Sequence, residues 1–118
     1  MIGITRSQAL SELCESVRGL VSCREYTRCT DLIRQAMRDY PSAPQPHNLM
    51  GVVLEETGCH SAAMRHFRAA RALDPTYGPP IQNLARYGTF CPTGQPAYDQ
   101  CDCQGTDQLL PEDLRKQA

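Results

Sequence analysis

The chain has 118 residues, of which 41% are hydrophobic and 21% charged, and its formal net charge is −1 at pH 7. This length predicts one domain with a modest core. The near-neutral charge argues against nucleic acid or an anionic membrane as a partner. The apolar runs are far shorter than the roughly 20 residues that cross a bilayer. Together with a polar start that lacks a signal-peptide core, the composition predicts a cytoplasmic protein.

The spacing of apolar residues predicts an all-α fold. Apolar side chains recur every three or four positions, as they do along one face of a helix. Ser7 is expected to cap the first helix, and Gly58 to end the third in a left-handed conformation. The predicted helices span residues 7–22, 25–39, 45–56, 61–73 and 80–87.

The composition changes after residue 90. Prolines and glycines interrupt any helical pattern there, at Pro92, Gly94 and Pro96 for example. Residues 91–108 are therefore predicted to be irregular. Pro111 is expected to open one or two helical turns over residues 109–116.

One pattern of small and apolar residues occurs twice, 34 residues apart. The second copy consists of Gly51, Ala63, Phe67, Ala70 and Pro75. The first copy consists of Val17, Cys29, Ile33, Ala36 and Pro41. Small residues are needed where the two helices of a hairpin approach closely, and a proline ends the second helix. The pattern therefore predicts a repeated pair of packed helices.

In this pattern the chain resembles the tetratricopeptide repeat family, whose unit is a 34-residue helix–turn–helix. The resemblance implies antiparallel helix hairpins stacked in a right-handed superhelix, with a C-terminal capping helix and an irregular tail. Val17 replaces the family's glycine, which loosens the first hairpin, and a third copy stops at Pro92. The implied regions are a repeat domain (7–90), two repeats (10–43 and 44–77), a capping helix (78–88) and a cysteine-containing tail (91–118).

The resemblance also implies a binding function. Members of this family bind a peptide or helix of a partner protein in a concave groove formed by the first helix of each hairpin. An asparagine amide can both donate to and accept from a peptide backbone, and arginine suits a carboxylate. Arg18, Asn48 and Arg86 are therefore the best contact candidates. The resemblance places these residues in the groove: Ser11, Cys14, Arg18, Gln45, Asn48, Val52, Glu55, Gln82 and Arg86.

The seven cysteines allow an alternative function. An odd number without an export signal argues against a complete disulfide framework, so the default expectation is reduced, apolar thiols. Cys91, Cys101 and Cys103 could nevertheless offer thiolates to zinc, with Cys59 or His60 as a fourth ligand. The chain lacks the tight CxxC pairs of structural zinc sites. The alternative is thus a small thiol- or zinc-responsive protein that acts through its tail.

Catalysis is not expected, and neither is a cofactor. Cys59 and His60 are neighbours, but the sequence places no obvious carboxylate to orient the histidine. Phosphate-loop, HExxH and dinucleotide-binding motifs are absent from the sequence.

A basic ridge is predicted on the fourth helix, where spacing by three brings Arg65, Arg68 and Arg71 near one face with His66. A solvated convex surface is the expected role of this ridge. Binding to RNA or to an acidic partner is the alternative.

Two repeats are fewer than the three or so that usually make an independent stack. Either the tail therefore packs on the exposed end through Leu109, Leu110 and Leu114, or two chains associate as a homodimer.

Overall fold

A computed structural model describes residues 5–89 and 94–103 of the chain. This part is all-helical, as predicted, and contains no strand. The elements are α1 (Arg6–Ser22), α2 (Tyr26–Asp39), α3 (Pro44–Glu56), α4 (His60–Leu73), α5 (Gly78–Tyr87) and a 3-10 helix (Gln100–Cys103). The helical turns predicted over 109–116 lie outside the described residues. Among the helices in the described part, none has the length and apolar character needed to cross a membrane.

Each helix begins within two residues of its predicted start, and the starts of α1 and α5 have clear local causes. Thr5, and not Ser7, caps α1: the Gln8 N–H donates to the Thr5 hydroxyl at 3.1 Å, and the Thr5 N–H donates to the Gln8 side chain at 3.0 Å. This reciprocal pair satisfies two free N–H groups at the helix start. Helix α5 begins two residues earlier than predicted. Its two prolines, Pro79 and Pro80, fit the first turn because N–H groups there have no partner within the helix.

The turns between α1 and α2 and between α3 and α4 share their backbone geometry. Each contains one left-handed residue, Arg24 at φ 58° and Gly58 at φ 85°, 34 positions apart. Gly58 thus ends α3 as predicted, and glycine adopts this conformation without steric cost. The N–H groups that bond back to the preceding helix also correspond at a separation of 34, and they belong to Cys23, Arg24, Glu25, Thr57, Gly58 and Cys59.

Helices α3 and α4 pack very closely at Gly51. A Cβ atom at Gly51 would lie 2.4 Å from Cε1 of Phe67, whose side chain is fully buried. Only glycine fits this contact without moving the ring.

Each helix packs against the next one in the chain, and α3 also contacts both α1 and α5. Helices α1, α3 and α5 therefore lie side by side along one side of the molecule. The described part of the tail packs on the helices too, since Tyr98 is only 5% exposed and belongs to the main apolar cluster. The three leucines predicted to dock the tail, Leu109, Leu110 and Leu114, lie outside the described residues.

Candidate functional site

Residues 94–103, which we call the tail segment, lie against α1, α3 and α5. The surface of these three helices that contacts the tail segment is called the tail-binding face below. Residues 95–98 have no regular secondary structure, and the 3-10 helix follows them. Pro96, Ala97 and Tyr98 are buried, whereas Gln95 and Gln100 remain exposed. The segment is therefore held at its centre.

Two asparagines hold the main chain at this centre. Asn48 of α3 and Asn83 of α5 each donate from Nδ2 to the carbonyl oxygen of Ala97, at 3.0 and 2.8 Å. The Ala97 N–H donates in turn to Oδ1 of Asn83 at 2.8 Å. Nδ2 of Asn83 also donates to Oδ1 of Asn48 at 2.9 Å, which links the two amides. Both polar main-chain groups of Ala97 are thus satisfied by side chains.

Burial makes this arrangement energetically important. Asn48 and Asn83 are completely buried, and Ala97 is 1% exposed. A buried amide without hydrogen-bond partners is destabilising, so each asparagine depends on the peptide unit that it binds. The Ala97 side chain is therefore enclosed, and a much larger side chain would have to displace its neighbours.

Arg18 of α1 binds the other end of the tail segment. Its Nη2 lies 2.7 Å from Oδ2 of Asp102, and its guanidinium carbon lies 4.8 Å from the centre of the Tyr98 ring. The same arginine also pairs with Glu15 at 3.3 Å. A charge-assisted hydrogen bond and a cation–π contact therefore meet on one side chain.

Asp102 also folds the tail segment on itself. Its Oδ2 accepts from the N–H groups of Tyr98, at 2.9 Å, and Asp99, at 3.1 Å. Burial raises the pKa of Asp102, but the hydrogen bonds from Arg18 and from these two N–H groups outweigh it, so the pKa lies below its usual value. The hydrogen bond to Asp102 in turn raises the pKa of Arg18. Asp102 is thus a carboxylate at neutral pH.

Three further contacts come from α5 and the residue before it. Nη1 of Arg86 donates to the carbonyl oxygen of Gln95. The Tyr77 hydroxyl donates to Oδ1 of Asp99 at 2.8 Å, and the Gly78 N–H donates to Oε1 of Gln100 at 2.9 Å. The tail-binding face therefore contacts the segment from residue 95 to residue 102.

The residues predicted for the groove lie in different environments. Arg18, Asn48 and Arg86, the preferred contact candidates, all bind the tail segment. Val52 is fully buried in the apolar cluster that includes Tyr98, and Gln82 is buried in α5. Glu55 lies 2.9 Å from Nδ1 of His60. No carboxylate was expected to orient His60, and this contact with Glu55 corrects that expectation.

The basic ridge on α4 is only partly as predicted. Arg65, Arg68 and Arg71 are exposed, but His66 is half-buried and faces His47 of α3. The two Nδ1 atoms are 3.2 Å apart, and the rings stack with centroids 5.4 Å apart. His66 therefore belongs to the helix interface and not to the arginine ridge.

The tail cysteines differ in exposure. Cys101 is exposed and Cys103 is buried, while Cys91 lies outside the described residues. Burial raises the pKa of Cys103 to about 11, so this thiol stays protonated at neutral pH. Within residues 5–89 and 94–103, no group of three or more His, Cys, Asp or Glu side chains is arranged to hold a metal ion.

The chain matches no family model, and no curated protein or solved structure is significantly similar to it. The tail-binding face is therefore the main indication of its function.

Asn83 was not predicted as a contact residue, because the 34-residue frame points to Gln82, the residue before it. The one available signal was a second asparagine next to that frame position.

Proposed function

We propose that this protein is a non-catalytic protein–protein interaction module that binds an extended peptide of a partner protein on the tail-binding face. The observation that carries the proposal is the pair Asn48 and Asn83, which together bind the N–H and C=O groups of Ala97. These contacts are made to main-chain N–H and C=O groups, which every peptide has. A peptide from another protein can therefore use the same donors and acceptor.

We also propose that the helices form a tetratricopeptide-like right-handed superhelix of two hairpins and a capping helix. The turn hydrogen bonds that recur 34 residues apart, with left-handed Arg24 and Gly58 at corresponding positions, support this proposal. The close contact between Gly51 and Phe67 supports it as well, because the family pattern needs a small residue there. In such a stack α1, α3 and α5 line the inner, concave surface.

The face is suited to acidic peptides. Arg18 and Arg86 lie on either side of the asparagine pair along the tail segment, where they contact Asp102 and the carbonyl of Gln95. Arginine binds carboxylates and carbonyl oxygens well because its planar group carries several donors. The buried asparagines fix the peptide backbone, and the arginines add a preference for negative charge.

A library of random peptides on phage tests the proposal. The target is the full chain with Ala97→Arg, because an arginine does not fit at a position that is 1% exposed and so removes the tail segment from the face. The control target carries Asn48→Ala and Asn83→Ala in addition. Circular dichroism checks that both chains keep their helices.

The proposal predicts enriched peptides that bind the Ala97→Arg chain and not the control. Enrichment of no peptide, or equal binding to both targets, would overturn it.

A further inference from the structure

The tail segment is bound as a peptide ligand is bound. Residues 95–98 make no helix or sheet of their own, and the hydrogen bonds of Ala97 come from the side chains of two helices. Such contacts need the segment to be near the face but do not need it to be part of the same chain. The residues of the tail segment therefore indicate which kind of peptide the tail-binding face can bind.

The helices contact three features of the tail segment. The first is a small side chain, because Ala97 is enclosed. The second is an aromatic ring directly after it, since Tyr98 is buried in the apolar cluster and lies under the Arg18 guanidinium. The third is negative charge: Asp99 accepts from the Tyr77 hydroxyl at 2.8 Å, and Asp102 binds Arg18 at 2.7 Å.

We infer that the tail segment is a built-in pseudoligand, and that the partner is an acidic peptide with the same pattern. This pattern is a small residue, an aromatic residue next to it, an acidic residue after that, and a second carboxylate three positions further on. The inference rests on the peptide-binding function proposed above. The partner binds by displacing the tail segment, so the docked tail holds the face closed until such a peptide arrives.

Because the tail segment belongs to the same chain as the tail-binding face, it competes effectively with free peptides that bind only weakly. A tethered segment has an effective concentration of the order of millimolar, which a free peptide must overcome. The apparent affinity for a free peptide falls by the fraction of chains whose tail is undocked. Peptides that lack the pattern gain too few contacts on the face to compete with the tail.

The probe is a fluorescein-labelled peptide with the sequence of residues 94–103, GQPAYDQCDC, kept reduced. Its binding to the wild-type chain and to the Ala97→Arg chain is measured by fluorescence anisotropy. We expect saturable binding to the Ala97→Arg chain, at least about tenfold tighter than to the wild type. The Asp102→Asn chain keeps Ala97 and loses only the negative charge that pairs with Arg18. It should give an intermediate affinity and covers the case in which Ala97→Arg does not fold.

Variants of the peptide test the pattern. Peptides carrying Tyr98→Ala or Asp102→Asn should bind the Ala97→Arg chain at least about tenfold more weakly, and a scrambled peptide more weakly still. If the tail peptide binds the wild-type and Ala97→Arg chains equally well, the tail segment is not a pseudoligand. If the scrambled peptide binds the Ala97→Arg chain as well as the tail peptide does, the proposed sequence pattern is wrong.

Other results separate this inference from the proposed function. If phage peptides bind the Ala97→Arg chain but the tail peptide does not, the inference fails and the proposed function stands. If no peptide of either kind binds, both fail. A wild-type dimer that the tail peptide splits into monomers would show that the segment docks on a second copy, and would overturn docking within one chain.

Discussion

Asn83→Ala should weaken the docking of the tail segment more than Asn48→Ala does, although both substitutions remove the same side chain from a fully buried position. Asn83 takes part in three hydrogen bonds, two with the main chain of Ala97 and one with Asn48. Its removal leaves the Ala97 N–H buried without its partner. At about 1 kcal/mol for each of the three hydrogen bonds, and with about 1–3 kcal/mol more for the unsatisfied donor, the expected loss is about 4–6 kcal/mol.

Asn48→Ala removes two hydrogen bonds, but both of the groups left behind keep a partner. The Ala97 carbonyl still accepts from Asn83, and Nδ2 of Asn83 still donates to that carbonyl. The expected loss is therefore about 2 kcal/mol, with no added cost for an unsatisfied group. The double variant should lose more than Asn83→Ala alone, because the Ala97 carbonyl then loses its remaining partner as well.

Equilibrium unfolding in urea measures these losses as changes in the free energy of unfolding. The tail segment shares the apolar cluster through Tyr98, so its docking contributes to that free energy. A loss for Asn48→Ala that equals or exceeds the loss for Asn83→Ala would show that Asn83 is not the main partner of Ala97.

Two further predictions concern the helices. Gly51→Ala should lower the free energy of unfolding by about 1–3 kcal/mol, because its Cβ would clash with the buried Phe67 ring. The matched change Gly19→Ala should raise the free energy of unfolding by about 0.5–1 kcal/mol, since a Cβ at this exposed helical position meets nothing within 4 Å. Urea unfolding in which both variants change this free energy in the same direction would contradict the close packing of α3 on α4. The second prediction concerns pH: burial lowers the pKa of both His47 and His66 below 6.5, and the nearby charges of His47 and Arg65 lower that of His66 further. The unfolded chain then binds more protons, so the free energy of unfolding should fall as the pH drops below about 6.5. A chain with His47→Gln and His66→Gln should show a shallower fall, and an unchanged slope would contradict the paired-histidine interface.

Much of the helical architecture could be predicted from local signals. Apolar spacing, the prolines that start α3 and α5, and Gly58 after α3 each act within a few residues, so the sequence displays them directly. The errors have local causes too. Thr5 forms a capping box with Gln8 and so moves the start of α1, and the paired prolines Pro79 and Pro80 allow α5 to begin at Gly78.

The candidate site was only partly predictable. Arg18, Asn48 and Arg86 follow from the 34-residue frame, because that frame fixes which side of a helix a residue occupies. What they contact does not follow, since Arg18 and Asp102 are 84 positions apart and the tail has no periodicity that would show its docking. Asn83 was missed because α5 presents the residue after the frame position to the tail segment.

The exchange rate of the Ala97 amide hydrogen in the full wild-type chain, measured by NMR, shows whether the tail segment is docked on the helices. This N–H donates to a buried asparagine, so we expect exchange at least about a hundredfold slower than in an unstructured peptide, and much faster exchange in Asn83→Ala. An Ala97 amide that exchanges in the wild type as fast as in an unstructured peptide would contradict the docking of the tail segment on the tail-binding face.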